Sequence, residues 1–342
     1  MQSMTELASF LNRPLRIGNR TSNHRLLLAP MTHLSHVAFR ELVSGFGSHG
    51  LLFSEMCSAR GLPAENRHHS LYFRWRSEEL PYLSCQIFGN DPAVMAAAAR
   101  RIEREGFWGV DINFGCAAGI ICSRDSGAAI LKDPERAERI VAAVRSQVSI
   151  PLTVKFRTGW RDDPELPVKM ALRFERAGAD GLVFHPRVAP DRRLRPPRWE
   201  YIAEVKRAVK IPVIGNGDVF SPADCRKMIR TTGCDAVAIG RIAAARPWSF
   251  AEWVGGFQPP PGIYASTALA LLELLAKHYQ PMAAMRRFRR FAFYYSSNFR
   301  FGHTWCSRVQ SAQHPQEIRQ AVAEIIGEAP ELSLRPNMNF MR

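Results

Sequence analysis

LTVKFR (152–157), GLVFHP (181–186), PVIGNG (212–217) and AVAIGR (236–241) are four short, mostly apolar runs at nearly even spacing. Apart from LTVKFR, which alternates, they do not switch between apolar and polar along their length as a half-exposed strand does. Near-continuous apolarity is the pattern of parallel strands covered on both faces. The same texture recurs upstream in LLLAP (26–30), LLFSEM (51–56), LSCQIF (83–88) and GVDINF (109–114). Amphipathic stretches lie between the runs. Two of them, DPAVMAAAARRIEREG (91–106) and DPERAERIVAAVRSQ (133–147), open with Asp-Pro, an N-cap followed by proline at the first helical position.

Eight β–α units in about 230 residues predict an α/β fold, a (β/α)8 TIM barrel. No GxGxxG follows the first run, which argues against a doubly wound dinucleotide-binding sheet. The texture changes at GFQPPPGIY (256–264), a Pro/Gly-rich linker. Beyond it only helical patterns follow: STALALLELLAKHYQ (266–280), MAAMRRFRRFAFYYSS (282–297) and HPQEIRQAVAEIIGEA (314–329). The expected division is a barrel over residues 1–257 and a small all-helical domain over 258–342, ending in a loose tail.

Of the 342 residues, 46% are hydrophobic and 23% charged, which excludes a disordered or low-complexity chain. The formal charge of +15 points to a polyanionic partner. No run of about 18 apolar residues would span a membrane, and the polar first 20 residues do not read as a signal peptide. The seven cysteines are irregularly spaced with no CxxC pair, so neither a disulfide framework nor a zinc site is expected, and a cytoplasmic protein is.

Active sites of such barrels gather at the C-terminal ends of the strands. Here those ends carry Gln86, Asn113 before Gly115-Cys116, Lys155 and Arg157, His185 and Arg187, Asn216-Gly217-Asp218, and Gly240-Arg241. Any one of them alone reads more readily as a capped turn or a satisfied surface or core group. Together they converge on one mouth. Glycines after the last two strands let backbone N–H groups approach an anion, the usual phosphate site of these barrels. Arg241 adds a charged donor there, and Lys155 suits the electron-rich edge of a flavin.

LLLAPMTHLSHVAFRELV (26–43), SEMCSARGL (54–62), CQIFGNDP (85–92), DINFGC (111–116), GAAILKDPE (127–135), TVKFRTGW (153–160), FHPR (184–187), IGNGDV (214–219) and AIGR (238–241) resemble the tRNA-dihydrouridine synthases in order and spacing. The likeness extends less distinctly into RRFRRFAFYYSSNFRFGHTW (286–305). It implies an FMN-dependent oxidoreductase that reduces the C5=C6 bond of uridine in tRNA. In that family NADPH reduces the flavin, the flavin gives hydride to C6, and a cysteine protonates C5. Carried over, FMN would be held by Pro30, Met31, Thr32, Gln86, Lys155, His185, Asn216, Gly217, Asp218, Gly240 and Arg241. Asn113 would contact the base and Cys116 would be the general acid. A thiol, with an ordinary pKa of about 8.5, carries its proton at neutral pH and can serve as one. No metal and no obligate protein partner are implied.

The chain departs from the family in three places. Its cysteine loop, GCAAGIICSRDSGAAIL (115–131), has Ala117 for a proline and Gly119 for a lysine. After Ala-Pro-Met the family usually has Gly and then Thr-Asp, where this chain reads Thr32-His33-Leu34-Ser35-His36. Ser35 keeps the hydroxyl and His36 replaces the carboxylate. After FHPR the loop gains Arg192, Arg193, Arg195 and Arg198. With Arg157 and Arg187, the tail arginines Arg286, Arg287 and Arg290 are candidate RNA contacts, while the aromatics among them read as the bundle's own core. Three alternatives stay open: a flavoprotein acting on ribosomal RNA, a non-catalytic RNA-binding flavoprotein, and a reductase of a small enone-like molecule.

Overall fold

A computed structural model describes residues 2–191, 195–328, 331–333 and 336–341. Arg192 and Arg193 lie outside the described residues. The eight runs form eight parallel strands: β1 (Leu26–Leu28), β2 (Leu52–Phe53), β3 (Leu83–Phe88), β4 (Gly109–Phe114), β5 (Leu152–Gly159), β6 (Gly181–Val188), β7 (Val213–Asn216) and β8 (Ala236–Ile239). Each pairs with its neighbour in sequence. β8 pairs with β1 in the register Val237↔Leu26, and this last pairing closes the barrel.

Strand parity sorts the core into two shells. Leu26, Leu28, Leu182, Phe184, Val213, Val237 and Ile239 face outward into the main apolar cluster under the helices. Leu27, Val183, Ile214, Ala236 and Ala238 face inward. Leu15 and Ile17, on strands of the hairpin Leu15–Ile17/Arg20–Ser22, join that inner cluster with Trp108. The inward positions of β3, β4 and β5 break the pattern, because they are Ser84, Gln86, Asp111, Asn113, Thr153 and Lys155. One half of the lumen is therefore oily and the other half polar.

The expected helix caps form. Asp91 accepts from the N–H of Val94 (2.9 Å) at the start of Pro92–Arg104, and Asp133 from that of Arg136 (3.0 Å) at the start of Pro134–Arg145. Beyond the linker the described residues form four longer helices, Ile263–His278, Pro281–Tyr295, Gly302–Ser311 and Pro315–Glu328, and the short helix Met338–Met341. They share one apolar cluster with the barrel helices. Lys277 and His278 pair with Glu41 on helix Val37–Phe46, and Asn298 donates to the carbonyl of Ala245 (2.7 Å). The C-terminal residues expected to be loose are tied back where they are described. Met341 is buried, and its carbonyl accepts from Arg241. No helix among the described residues is long and apolar enough to cross a membrane.

Candidate active site

A cavity of about 460 Å3 opens at the C-terminal ends of the strands. Pro30, Met31, Thr32, Gln86, Asn113, Cys116, Lys155, Arg157, His185, Arg187, Asn216, Gly217, Asp218, Gly240, Arg241 and Arg290 all line it. Residues spread over more than 200 positions meet there because every parallel strand ends on the same side.

The β6–β8 side is built from charge and backbone. Asp218 holds Arg187 at 2.8 Å and also pairs with Arg241. Asp218 adopts a φ of 52° and Gly217 one of 124°. A side chain at Gly217 would start 2.7 Å from the His185 ring, so only glycine brings the backbone this close. The Nε2 atom of His185 is buried and makes no hydrogen bond among the described residues. Burial first, then the charges of Arg157, Lys155, Arg187 and Arg241, hold its pKa well below the usual 6.5, so the imidazole is neutral.

The β3–β5 side is a relay of hydrogen bonds. Asp111 accepts from Gln86 (2.6 Å) and from the Thr153 hydroxyl (2.6 Å), and Asn113 donates to Gln86 (2.8 Å). The amide oxygen of Asn113 accepts from the N–H groups of Gly115 (3.0 Å) and Cys116 (2.9 Å). Asn113 therefore fixes the start of the cysteine loop. Arg157 donates to the Gly115 carbonyl, and Ala128 N–H to that of Cys116 (2.8 Å). Gly127 has a φ of 60°, and a Cβ there would sit 2.6 Å from the Cys116 carbonyl oxygen. Burial pushes Asp111 up to about 6. Lys155 is lowered to about 8, by burial first and by Arg157 second.

The departures from the family take structural form. Ala117, Ala118 and Gly119 line the cavity, and Ile120 beside them is 68% exposed. Cys122 is not among the lining residues; its thiol lies 3.5 Å from the Cys116 carbonyl. His36 has become a helix cap: its Nδ1 accepts from Phe39 N–H (3.2 Å), and burial keeps it neutral. Ser35 exchanges hydrogen bonds with the backbone of Met31 (2.8 and 3.0 Å) and pins the rim loop.

Two of the predicted contacts lie elsewhere. Arg286 is exposed outside the cavity. Arg287 is a correction: it is 4% exposed, donates to the Leu71 carbonyl (2.6 Å), pairs with Glu55 (3.4 Å) and stacks on Tyr279 (4.2 Å), so it faces inward rather than toward a ligand. The aromatics Phe288, Phe291, Tyr295, Phe299 and Trp305 are buried as expected, and Tyr294 also lines the cavity. Asp111 and Met56 are not among the expected site residues, and Tyr294 reads from the sequence as bundle core. Asp111 was within reach, since it stands two residues before Asn113 on the same face of β4.

The dihydrouridine synthase (Dus) family model matches residues 27–329. The chain is 40% identical over 238 residues to tRNA-dihydrouridine synthase B of Pseudomonas aeruginosa, covering 70% of this chain and 71% of that protein. It is 34% identical to tRNA-dihydrouridine synthase B of Pseudomonas putida, covering 88% and 91%. Among solved structures, 2-naphthoyl-CoA reductase aligns with a TM-score of 0.58 at 14% identity, over 96% of this chain and 71% of that one. The old yellow enzyme from Trypanosoma cruzi aligns at 0.54 and 12%, over 77% and 97%. These two share the barrel fold. A family match over most of the length, with relatives at this identity, shows that the chain belongs to the dihydrouridine synthase family.

Proposed function

We propose that this chain is an FMN-dependent tRNA-dihydrouridine synthase that uses NADPH to reduce the C5=C6 bond of uridine in cytoplasmic tRNA. The observation that carries the reading is the placement of Cys116: among the seven cysteines it alone lines the cavity, on a loop whose start Asn113 holds.

The cavity fits a flavin mononucleotide. The orphaned His185 Nε2, the side-chain-free approach at Gly217 and the arginines around Asp218 are what a buried polar ligand with a phosphate requires. Pro30, Met31, Thr32, Gln86, Lys155 and His185 would hold the ring, and Asn216, Gly217, Asp218, Gly240 and Arg241 the ribityl phosphate. When bound, FMN supplies the hydride that NADPH replenishes.

The rest of the work falls to the chain's own groups. Asn113 and Arg157 orient the uracil and the loop. The Cys116 thiol gives its proton to C5 as C6 gains hydride, and is reprotonated from solvent. Arg187 steadies Asp218 under the ligand. The target base has to leave its stack to reach the cavity, at a cost of a few kcal/mol. Arg290 at the mouth, with Arg286 beyond it, would hold the flanking phosphates, and residues 258–342 act as the RNA-binding unit.

The test is to incubate purified protein, NADPH and an unmodified tRNA transcript, and read dihydrouridine by mass spectrometry. The wild type forms it. A yellow protein that binds the transcript and oxidises no NADPH in its presence would overturn the reading.

A further inference from the structure

A second groove, of about 480 Å3, runs along the seam between the loop after β2 and the first two tail helices. Arg67, Arg74 and Trp75 form one wall, and Lys277, His278 and Tyr279 the other. No carboxylate lines it. Glu41 pairs with Lys277 (2.7 Å) and His278 (2.6 Å) and neutralises part of that wall. Arg67 and Arg74 have no carboxylate partner among the described residues. They lie instead over aromatic faces, Arg67 at 5.4 Å from the Trp75 ring centre and Arg74 at 4.9 Å from that of Tyr279. Trp75 is 5% exposed, and its indole N–H is buried without an acceptor among the described residues. The groove thus gathers two arginines whose charge no carboxylate offsets, although Arg67 donates to the His68 ring (3.2 Å) and Arg74 to backbone carbonyls, and one indole N–H without an acceptor, which suits an anionic ligand.

Its position narrows the choice of anion. The Tyr279 ring takes Arg74 at 4.9 Å and also Arg287 at 4.2 Å. Arg287 pairs with Glu55, which accepts from the His33 N–H (2.6 Å) in the loop at the cavity rim. A chain of contacts through Tyr279, Arg287 and Glu55 therefore links the groove to the rim loop of the cavity. A small molecule bound in the groove would have no reacting group to meet. A polymer with one unit in the cavity has to continue outward, and this cationic, aromatic-walled seam lies next to the mouth.

We propose that the groove between the β2 loop and helix Ile263–His278 holds the phosphate backbone of the RNA strand leading away from the reacting uridine, through Arg67, Arg74 and Lys277. The proposal rests on the synthase reading given above. Arg74 also donates to the carbonyls of Arg67 and His68, so it is left intact in the test.

The test compares the wild type with the double variant Arg67→Ala, Lys277→Ala by binding an unmodified tRNA transcript across a salt series. Affinity at about 0.15 M salt should fall about tenfold, and the slope of log K against log salt should shrink by roughly one to two. KM for tRNA should rise in step, with kcat at saturating tRNA and flavin reduction by NADPH unchanged. The pair Arg67→Lys, Lys277→Arg should restore binding. A second measurement uses the wild type alone: tRNA should protect Lys277, whose side chain is 59% exposed, from acetylation. Unchanged affinity and slope, or an unprotected Lys277 in a protein that binds tRNA, overturns the groove and leaves the synthase reading standing. A wild type that does not bind tRNA overturns both.

Discussion

The barrel mouth and the helix Pro281–Tyr295 are both rich in arginine, yet they use it in opposite ways. At the mouth, Arg157, Arg187 and Arg241 come from three strands and face one cavity. On the helix, four arginines within five residues disperse. Arg290 reaches the cavity, Arg286 is exposed, Arg287 is buried against Glu55, and Arg289 donates to the Ala312 carbonyl. Parallel strands deliver their ends to the same side whatever their separation in sequence. A helix turns by about 100° per residue, so a basic run becomes a ring of differently directed side chains; positions i and i+4 lie about 40° apart, those at i and i+3 about 60°, and neighbours about 100°. Arg286 and Arg290 are nearest in direction, while Arg287, about 100° from Arg286 and about 60° from Arg290, turns into the core. At the mouth a substitution should cost chemistry; on the helix its cost should depend on which way the residue points.

The largest effect belongs to the mouth. Cys116→Ala should lower dihydrouridine formation by about 100- to 10,000-fold, the range for loss of a positioned acid. Flavin content and reduction by NADPH should be unaltered in stopped-flow absorbance. An equal loss from Cys122→Ala would erase the distinction between the two thiols of that loop.

Next comes the inward face of the helix. Arg287→Ala should destabilise the protein by about 3–5 kcal/mol in urea unfolding, because it strips the partner from a buried carboxylate. The loss should be larger at pH 8 than at pH 5. Glu55 is pushed up to about 7 by burial, against an ordinary 4.5, with Arg287 pulling the other way. Without that cation it keeps its proton to still higher pH, and at pH 5 it needs no partner. A pH-independent loss would mean that the arginine acts by packing alone.

Glu55 itself gives the third test. A carboxyl whose folded pKa is raised contributes stability that is fully present below about 4.5 and is lost as pH rises toward 7. Glu55→Gln abolishes that dependence, so its stability relative to wild type should climb by up to about 3 kcal/mol across that window. A difference that stays flat between pH 4.5 and 7 would show that Glu55 is ionised throughout.

The same contrast explains how far the sequence could be read. The eight strands and their order were legible because each is a local apolar run, and the strand-end residues were legible because the barrel sends them to one side. Asp111 needed one further step, strand parity, which puts it two positions below Asn113 and facing the lumen. Arg287 was misread for want of the helical period. The partners of Glu55 were out of reach, since an ion pair between residues 55 and 287 rests on packing between two distant segments. The replacement at His36 read as a lost carboxylate, whereas the structure makes it a neutral cap, a role that depends on the ring nitrogen rather than on charge.

The outward face of the tail should tolerate change. Arg300 pairs with Glu331 at 2.7 Å with both side chains more than 60% exposed. Arg300→Ala should stay within about 0.5 kcal/mol of wild type. A loss above about 1 kcal/mol would mean that this exposed pair ties down the segment around Leu332, which bridges to Phe299.

The smallest effect returns to the mouth, where backbone conformation rather than direction is at stake. His33 is exposed and holds a φ of 62°, the left-handed region that a non-glycine residue enters at a cost of roughly 1–2 kcal/mol. Its N–H bond to Glu55 is part of what holds it there. Glycine removes the cost but gives the unfolded chain more freedom, worth about 0.5–1 kcal/mol. The ring's neighbour, Tyr72 at 6.0 Å, is itself 37% exposed, so little packing is lost. His33→Gly should therefore match wild type or exceed it by a few tenths of a kcal/mol. His33→Ala keeps the strain and loses the ring, and should fall below His33→Gly. Urea midpoints of the three proteins decide it. A ranking with alanine above glycine would show that this loop relaxes its backbone once the imidazole is gone, and that the left-handed turn is set by the side chain and not by the bond to Glu55.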